Sequence, residues 1–214
     1  MELKTHDLLR LKDIDNIISY SPIPDWVATS LRRAPFVVVR RAPLMKETVP
    51  IGIRGSTRSE RFAAFLPYSN IKERFSPEKL VIDRAWNRCE RRIEMPALQV
   101  LPQVDHLLQD YPDITWGPGG SAGFELASGV HTVKLSSDLD LIFKQSRGLT
   151  VETAREIFKK LSDLPVRVDV QIETSKGAVS LQEYAKGVSP ILMKTENGPY
   201  LVQLTEICTK DCSF

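Results

Sequence analysis

At 214 residues the chain can form one large domain or two small ones, and either is long enough to bury a core. Its 42% hydrophobic and 26% charged content, with no low-complexity stretch, excludes a disordered or fibrous protein. The net charge of +2 is too small to argue for a nucleic-acid coat, and no run approaches membrane-spanning length.

Three cysteines, Cys89, Cys208 and Cys212, lack CxxC spacing and fit free thiols in a reducing cytosol better than a disulfide framework or a zinc site. The opening MELKTHDLLRLKD carries charges throughout and has no apolar signal core, so a soluble, cytoplasmic protein is expected.

In chain order, Pro24-Asp25-Trp26 reads as a helix entry with Asp25 as its cap. The β-branched runs Pro35 to Arg40 and Val49 to Arg54 read as strands. GSTRSERFAAFLP then mixes turn residues with an apolar stretch that stops at Pro67. From Arg32 to Arg61 eight basic residues stand against Glu47 and Glu60, which suits a polyanionic ligand, an acidic partner or a solvated, salt-bridged surface. Ser76-Pro77-Glu78 opens a helical stretch, LVIDRAWNRCERRIE, broken at Pro96. A second helix is expected over Ala97 to Gln109, with Leu98, Leu101, Val104, Leu107 and Leu108 on one face.

The second half alternates. Ile114 to Gly117 reads as a strand, GGSAGFELASG as a turn and short helix, LDLIFK as a strand and Val151 to Leu164 as an amphipathic helix. VRVDVQIE alternates as a strand, and Asn197-Gly198 between two strand-like runs signals a hairpin. The expected fold is α/β (α+β): a smaller strand-rich, basic domain at 1–76, then a mixed sheet with flanking helices at 77–214.

Three features carry chemistry. Gly119-Gly120-Ser121 is a turn before a helix, where successive backbone N–H groups can cradle phosphate oxygens. In Ser137-Asp138-Leu139-Asp140-Leu141 the two carboxylates share one strand face. Two like charges there are costly without a cation between them, and a hard divalent ion such as magnesium meets that need. Asp169, on the polar face of its own strand with Arg167 and Gln171, supplies a third carboxylate if the two strands are neighbours. Read singly, each has an ordinary explanation: a turn, solvated surface, and the polar side of a half-buried strand. His106 reads as a surface or capping residue, His131 as structural, Trp116 as core, and Lys144 as able to reach a phosphate.

The order strand, glycine-serine turn, helix, DxD strand, helix, Asp strand is similar to the palm of the DNA polymerase β-type nucleotidyltransferase superfamily. Seventeen positions separate Ser121 from Asp138, longer than that superfamily's compact spacing, so FELASGVHTVKLSS forms an excursion. The stretch Trp116-Gly117-Pro118-Gly119-Gly120-Ser121-Ala122-Gly123-Phe124-Glu125-Leu126-Ala127-Ser128-Gly129, followed by Ser137-Asp138-Leu139-Asp140-Leu141, resembles the phosphoribosyl-dephospho-CoA transferases (holo-acyl-carrier-protein synthases) of malonate decarboxylase. Val49-Pro50-Ile51-Gly52-Ile53-Arg54-Gly55, Arg58, Arg61-Phe62-Ala63-Ala64-Phe65-Leu66-Pro67 and the terminal Asn197-Gly198-Pro199 are similar to the same family, so the resemblance spans nearly the whole chain.

The resemblance implies a bacterial enzyme taking 2'-(5''-triphosphoribosyl)-3'-dephospho-CoA as donor and a serine of the apo acyl carrier subunit of malonate decarboxylase as acceptor, with pyrophosphate released. On that reading Asp138 and Asp140 bind Mg²⁺ (Mn²⁺ being open), and Gly120 and Ser121 hold the triphosphate. Asp169 is a ligand of a second metal or a general base for the incoming serine. Arg54, Arg58 and Arg61 bind donor phosphates or meet an acidic carrier protein, unless they are structural, with Arg54-Gly55 shaping a turn. Neither a membrane nor nucleic acid is expected as partner. The alternatives are another acceptor (the citrate lyase carrier protein, a small molecule or nucleic acid) or a non-catalytic module with a degenerate palm.

Overall fold

The computed structural model describes residues 2–43, 45–57, 59–145 and 149–207. The chain divides into two compact units, the first running to Ser76 and taking in Ala127–Val130, the second made of the remainder from Pro77 onward. The result is a mixed α/β protein with two sheets. Among the described residues no helix is long and apolar enough to cross a membrane.

The first unit contains β1 (Leu8–Leu11), α1 (Asp25–Arg33), β2 (Phe36–Val39), β3 (Thr48–Arg54), β4 (Arg61–Pro67) and β5 (Ile71–Phe75). Its strands form an antiparallel sheet in the order β4-β3-β2-β1-β5. Alternation along the strands buries Leu9, Val37, Val49, Ile51, Ile53 and Leu66, and Val27 and Leu31 of α1 join the same cluster. The expected helix entry needs one correction. Pro24 is the N-cap residue, no side chain caps the helix, and Asp25 is its first helical residue. There its charge still suits the positive end of the helix, as Arg32 and Arg33 suit the other.

The second unit runs α2 (Pro77–Ile82), α3 (Pro96–Gln99), α4 (Leu101–Leu108), β6 (Ile114–Pro118), α5 (Gly120–Ser128, whose last two residues fall in the first unit), β7 (Leu139–Gln145) and α6 (Val151–Ser162). It continues with β8 (Val168–Glu173), β9 (Ala178–Ser180), α7 (Leu181–Lys186), β10 (Ile191–Thr195), β11 (Gly198–Val202) and α8 (Leu204–Ile207). The sheet order is β11-β10-β9-β8-β7-β6, and β7 and β8 pair in parallel while the other neighbours are antiparallel. α6 is the crossover that parallel strands require. Its N-cap Thr150 accepts a hydrogen bond from Thr153 N, and Ala154, Ile157 and Leu161 form its buried stripe.

Two expected helices are broken. After α2, Arg84 adopts a left-handed conformation (φ 43°), and two short 3-10 turns, Ala85–Arg88 and Glu90–Ile93, replace the continuous helix. The apolar residues there do not keep one face: Trp86 is buried and stacks on Trp116 at 6.3 Å, while Ile82 and Ile93 are exposed. Ala97 to Gln109 is divided into α3 and α4 at Val100, because Pro102 has no N–H to offer the carbonyl of Leu98.

Candidate active site

The glycine-serine turn and the DLD segment are neighbours because β6 and β7 are antiparallel, with Pro118 opposite Leu141. Gly119 N donates to Asp140 O at 2.9 Å, which fastens the turn to the strand. At Gly120 the chain enters α5 with φ +54°, and a Cβ built there would lie 1.8 Å from Asp140 Oδ2. Only glycine allows both the backbone conformation and this approach of the helix start to a carboxylate. Ser121 is therefore the second residue of α5, half-buried, at an end whose N–H groups and dipole favour anions.

Asp138 and Asp140 are exposed, and Leu139 and Leu141 between and after them are fully buried. The two carboxylates thus lie on the open side of the strand while the leucines fix it to the core. Asp138 stands just before β7, after a turn closed by Ser137 N on Lys134 O (3.0 Å) and Lys134 N on Ser137 Oγ (2.9 Å). The parallel register sets Asp140 opposite Asp169, and Leu139 N donates to Arg167 O at 2.9 Å.

Asp169 has a partner of its own: Arg167 donates to Asp169 Oδ1 from Nε (3.2 Å) and from a terminal nitrogen (3.1 Å). Among the described residues no three His, Cys, Asp or Glu side chains are gathered into a metal-binding group. In this conformation Asp169 is the ion-pair partner of Arg167 rather than a third member of a carboxylate cluster. What remains is two carboxylates on one strand face beside a helix start. That donor set fits Mg²⁺, which commonly takes one or two carboxylates and completes its shell from phosphate and water.

The excursion after α5 is held by a buried carboxylate. Glu125, 3% exposed, accepts from Arg91 at 2.8 Å and from the backbone N–H groups of Thr132 (2.7 Å) and Val133 (2.8 Å). Arg91 also donates to Val133 O at 3.1 Å, and Thr132 Oγ1 donates to Ser121 O at 2.9 Å. The excursion is therefore clasped back onto the helix that starts at Gly120. Glu125 is the only charged residue in α5, and that was the available signal; Arg91 is lost among the charges of ERRIE. Burial, and then the negative charge of Glu125, push the thiol of nearby Cys89 above its ordinary pKa.

The other singled-out residues divide. Trp116 is buried in the core, and His106 and His131 are exposed. Lys144, expected to be able to reach a phosphate, instead donates to both oxygens of Glu78 at 2.7 and 2.6 Å. Arg54 and Arg61 are exposed and directly opposite one another at the β3–β4 hairpin, in the first unit. The hairpin is closed by Gly55 N on Glu60 O (2.9 Å) and Thr57 N on Glu60 Oε2 (2.9 Å). Arg58 lies outside the described residues.

Comparison with known proteins bears on this arrangement. Residues 4–77 match a family model described as the phosphoribosyl-dephospho-CoA transferase MdcG N-terminal domain, and residues 84–205 match its C-terminal domain. A phosphoribosyl-dephospho-CoA transferase of Pseudomonas syringae pv. tomato is 38% identical over 86% of this chain and 87% of its own. One of Pseudomonas putida is 36% identical over 93% of both, and one of Azotobacter vinelandii is 37% identical over 92% of this chain and 91% of its own. No solved structure matches.

Proposed function

This chain belongs to the phosphoribosyl-dephospho-CoA transferase family, a family of transferase enzymes, and from that premise we propose the reaction its second unit performs. The donor is 2'-(5''-triphosphoribosyl)-3'-dephospho-CoA, and the acceptor is a serine hydroxyl of the apo acyl carrier subunit of malonate decarboxylase. The serine oxygen bonds to the α-phosphorus, the bond to the bridging oxygen of the β-phosphate breaks, and pyrophosphate leaves as the hydroxyl proton is lost. The carrier is left with a phosphodiester-linked prosthetic group. The protein is expected to work in the bacterial cytoplasm.

The observation that carries this reading is the seating of the Gly120 turn against the Asp140 carboxylate, with Asp169 at the same register on the parallel neighbour. A phosphate-cradling helix start and two strand carboxylates are the parts phosphoryl transfer needs, since that chemistry depends on positioning and charge neutralisation. Asp138 and Asp140 would hold Mg²⁺, which when bound neutralises charge on the phosphates. Gly120 and Ser121 hold the triphosphate through backbone N–H groups and the serine hydroxyl. Asp169 would serve the site as ligand of a second metal, or as base for the incoming serine, once released from Arg167. Arg54, Arg58 and Arg61 serve an anionic partner, either donor phosphates or the carrier.

The test incubates the full chain with donor, magnesium and the apo carrier subunit and weighs the carrier by mass spectrometry. The expected gain is the phosphoribosyl-dephospho-CoA mass, lost in Asp138→Asn and Asp140→Asn while both variants fold. No gain on this carrier, together with transfer from an ordinary nucleoside triphosphate to another acceptor, would overturn the assignment. Unchanged turnover in both variants would overturn the site.

A further inference from the structure

The sheet of the first unit uses one face for its core; on the other face of β3 and β4, Arg54, Arg61 and Ala63 are exposed, Gly52 and Phe65 are half-buried and Pro50 is buried. Ile51, Ile53, Ala64 and Leu66 point inward, so the cross-strand pairs Arg54–Arg61, Gly52–Ala63 and Thr48–Pro67 lie on the opposite face. At one end of that face are two exposed arginines side by side, a fork suited to phosphate oxygens. In the middle the surface is flat, because Gly52 and Ala63 are small. A Cβ built on Gly52 would lie 3.3 Å from Cγ and Cδ of Arg40, so the stem of a third arginine crosses the same strip.

The other end opens into a cavity of about 630 Å³ whose lining includes Tyr20, Met45, Lys46, Phe65 and Tyr68. The Tyr20 ring meets Phe65 edge-on at 5.7 Å, and Tyr20 is 75% and Tyr68 42% exposed. Thr48, also in the lining, has a buried hydroxyl oxygen with no hydrogen-bond partner among the described residues. Exposed aromatic rings grouped around a hollow suit a planar heteroaromatic ring. Phe65 and Arg61 are four residues apart on one strand, about 13 Å. An extended adenosine diphosphate can bridge such a span.

We propose that this face of the first unit binds the adenosine-diphosphate portion of dephospho-CoA, with the purine in the Tyr20–Phe65–Tyr68 hollow and the diphosphate on Arg40, Arg54 and Arg61. The choice of ligand rests on the function proposed above; the shape and charge of the site stand without it. An acidic carrier protein would use the arginines but has no need of an aromatic hollow at the end of a flat strip.

Calorimetric titration of the full chain with 3'-dephospho-CoA, without divalent metal or acceptor, tests this. The wild type binds, ADP competes and pantetheine alone does not bind. The double variant Arg54→Gln/Arg61→Gln weakens binding about tenfold or more. Tyr20→Ala weakens it too, and since these side chains are exposed, melting temperatures stay at the wild-type value. Asp138→Asn binds dephospho-CoA as the wild type does, so a failure of the proposed transfer is read separately from a failure of this site. Absence of dephospho-CoA binding, or unchanged binding in both surface variants, overturns the proposal. So does an arginine variant that raises KM for the carrier and leaves dephospho-CoA binding intact.

Discussion

Glu125 offers the sharpest perturbation of the second unit, because one carboxylate serves three donors. Glu125→Ala leaves the N–H groups of Thr132 and Val133 without their acceptor and Arg91 without its counter-charge. Breaking a buried pair from one side costs about 3–5 kcal/mol. The Arg91 side chain is 20% exposed against 2% for Glu125, so water rehydrates part of the guanidinium and the lower figure, about 3 kcal/mol, applies. For a chain of this size that is a fall in melting temperature of roughly 6–12 °C. Glu125→Gln behaves differently. Its amide oxygen can keep both backbone N–H groups, while its NH₂ faces another donor, so about 1–2 kcal/mol is lost and the clasp stays closed. Urea unfolding followed by tryptophan fluorescence, to which Trp86 and Trp116 contribute together with Trp26 of the first unit, with transfer kinetics at varied magnesium, reads both. The expected order is wild type, Gln, then Ala in stability, with Ala also needing more magnesium. A change below about 1 kcal/mol in Glu125→Ala would refute the clasp.

Further outcomes follow from the same geometry. Gly120→Ala must leave the left-handed region or displace the Asp140 carboxylate, so transfer falls about tenfold or more and the strain, about 1–2 kcal/mol, lowers the melting temperature by roughly 2–8 °C; undiminished transfer would show that the helix start need not approach the carboxylate. Arg167→Ala removes an exposed pair and costs less than about 1 kcal/mol by denaturation. It also frees Asp169, so turnover is kept or raised; a loss as complete as in Asp169→Asn would assign Arg167 itself to the phosphates. Cys89, its thiol pushed up by burial and by Glu125, alkylates with iodoacetamide at pH 8 more slowly than glutathione in peptide mapping. Because the folded state holds this proton more tightly, its contribution to stability is complete at neutral pH. It is lost as pH rises past the usual thiol range, and faster-than-glutathione alkylation would contradict this.

Legibility in the sequence followed the strength of local periodicity. VRVDVQIE and LDLIFK announce strands because alternate residues must face the core, and Asn197-Gly198 announces its turn because few residues accept that backbone. β1 and β5 carry no such signal: they are four and five residues long, and Lys72, Glu73 and Arg74 give β5 the composition of a loop. The broken helices after Pro77 carried helix-forming residues, but tertiary burial of Trp86 and the missing N–H of Pro102 decided their ends. At the site, the residue types were legible and the pairing was not. That Asp140 faces Asp169 is set by the α6 crossover and the parallel register, which neither strand states by itself.

The long separation of Ser121 from Asp138 is resolved by anchoring. Backbone bonds from Gly119 N to Asp140 O and from Leu139 N to Arg167 O fix the DLD strand on both sides, and neither uses a carboxylate. The excursion between is held from within by Glu125 and Arg91 and tied to the helix start by Thr132 on Ser121 O. Chemistry and support therefore reside in different side chains. Asp138→Asn and Asp140→Asn should remove transfer while melting as the wild type does, since both carboxylates are exposed. Glu125→Ala should lower the melting temperature first and transfer as a consequence, and raising magnesium should recover part of its rate but none in the aspartate variants. Equal recovery in all three would mean that the excursion, and not the carboxylate pair, limits the reaction.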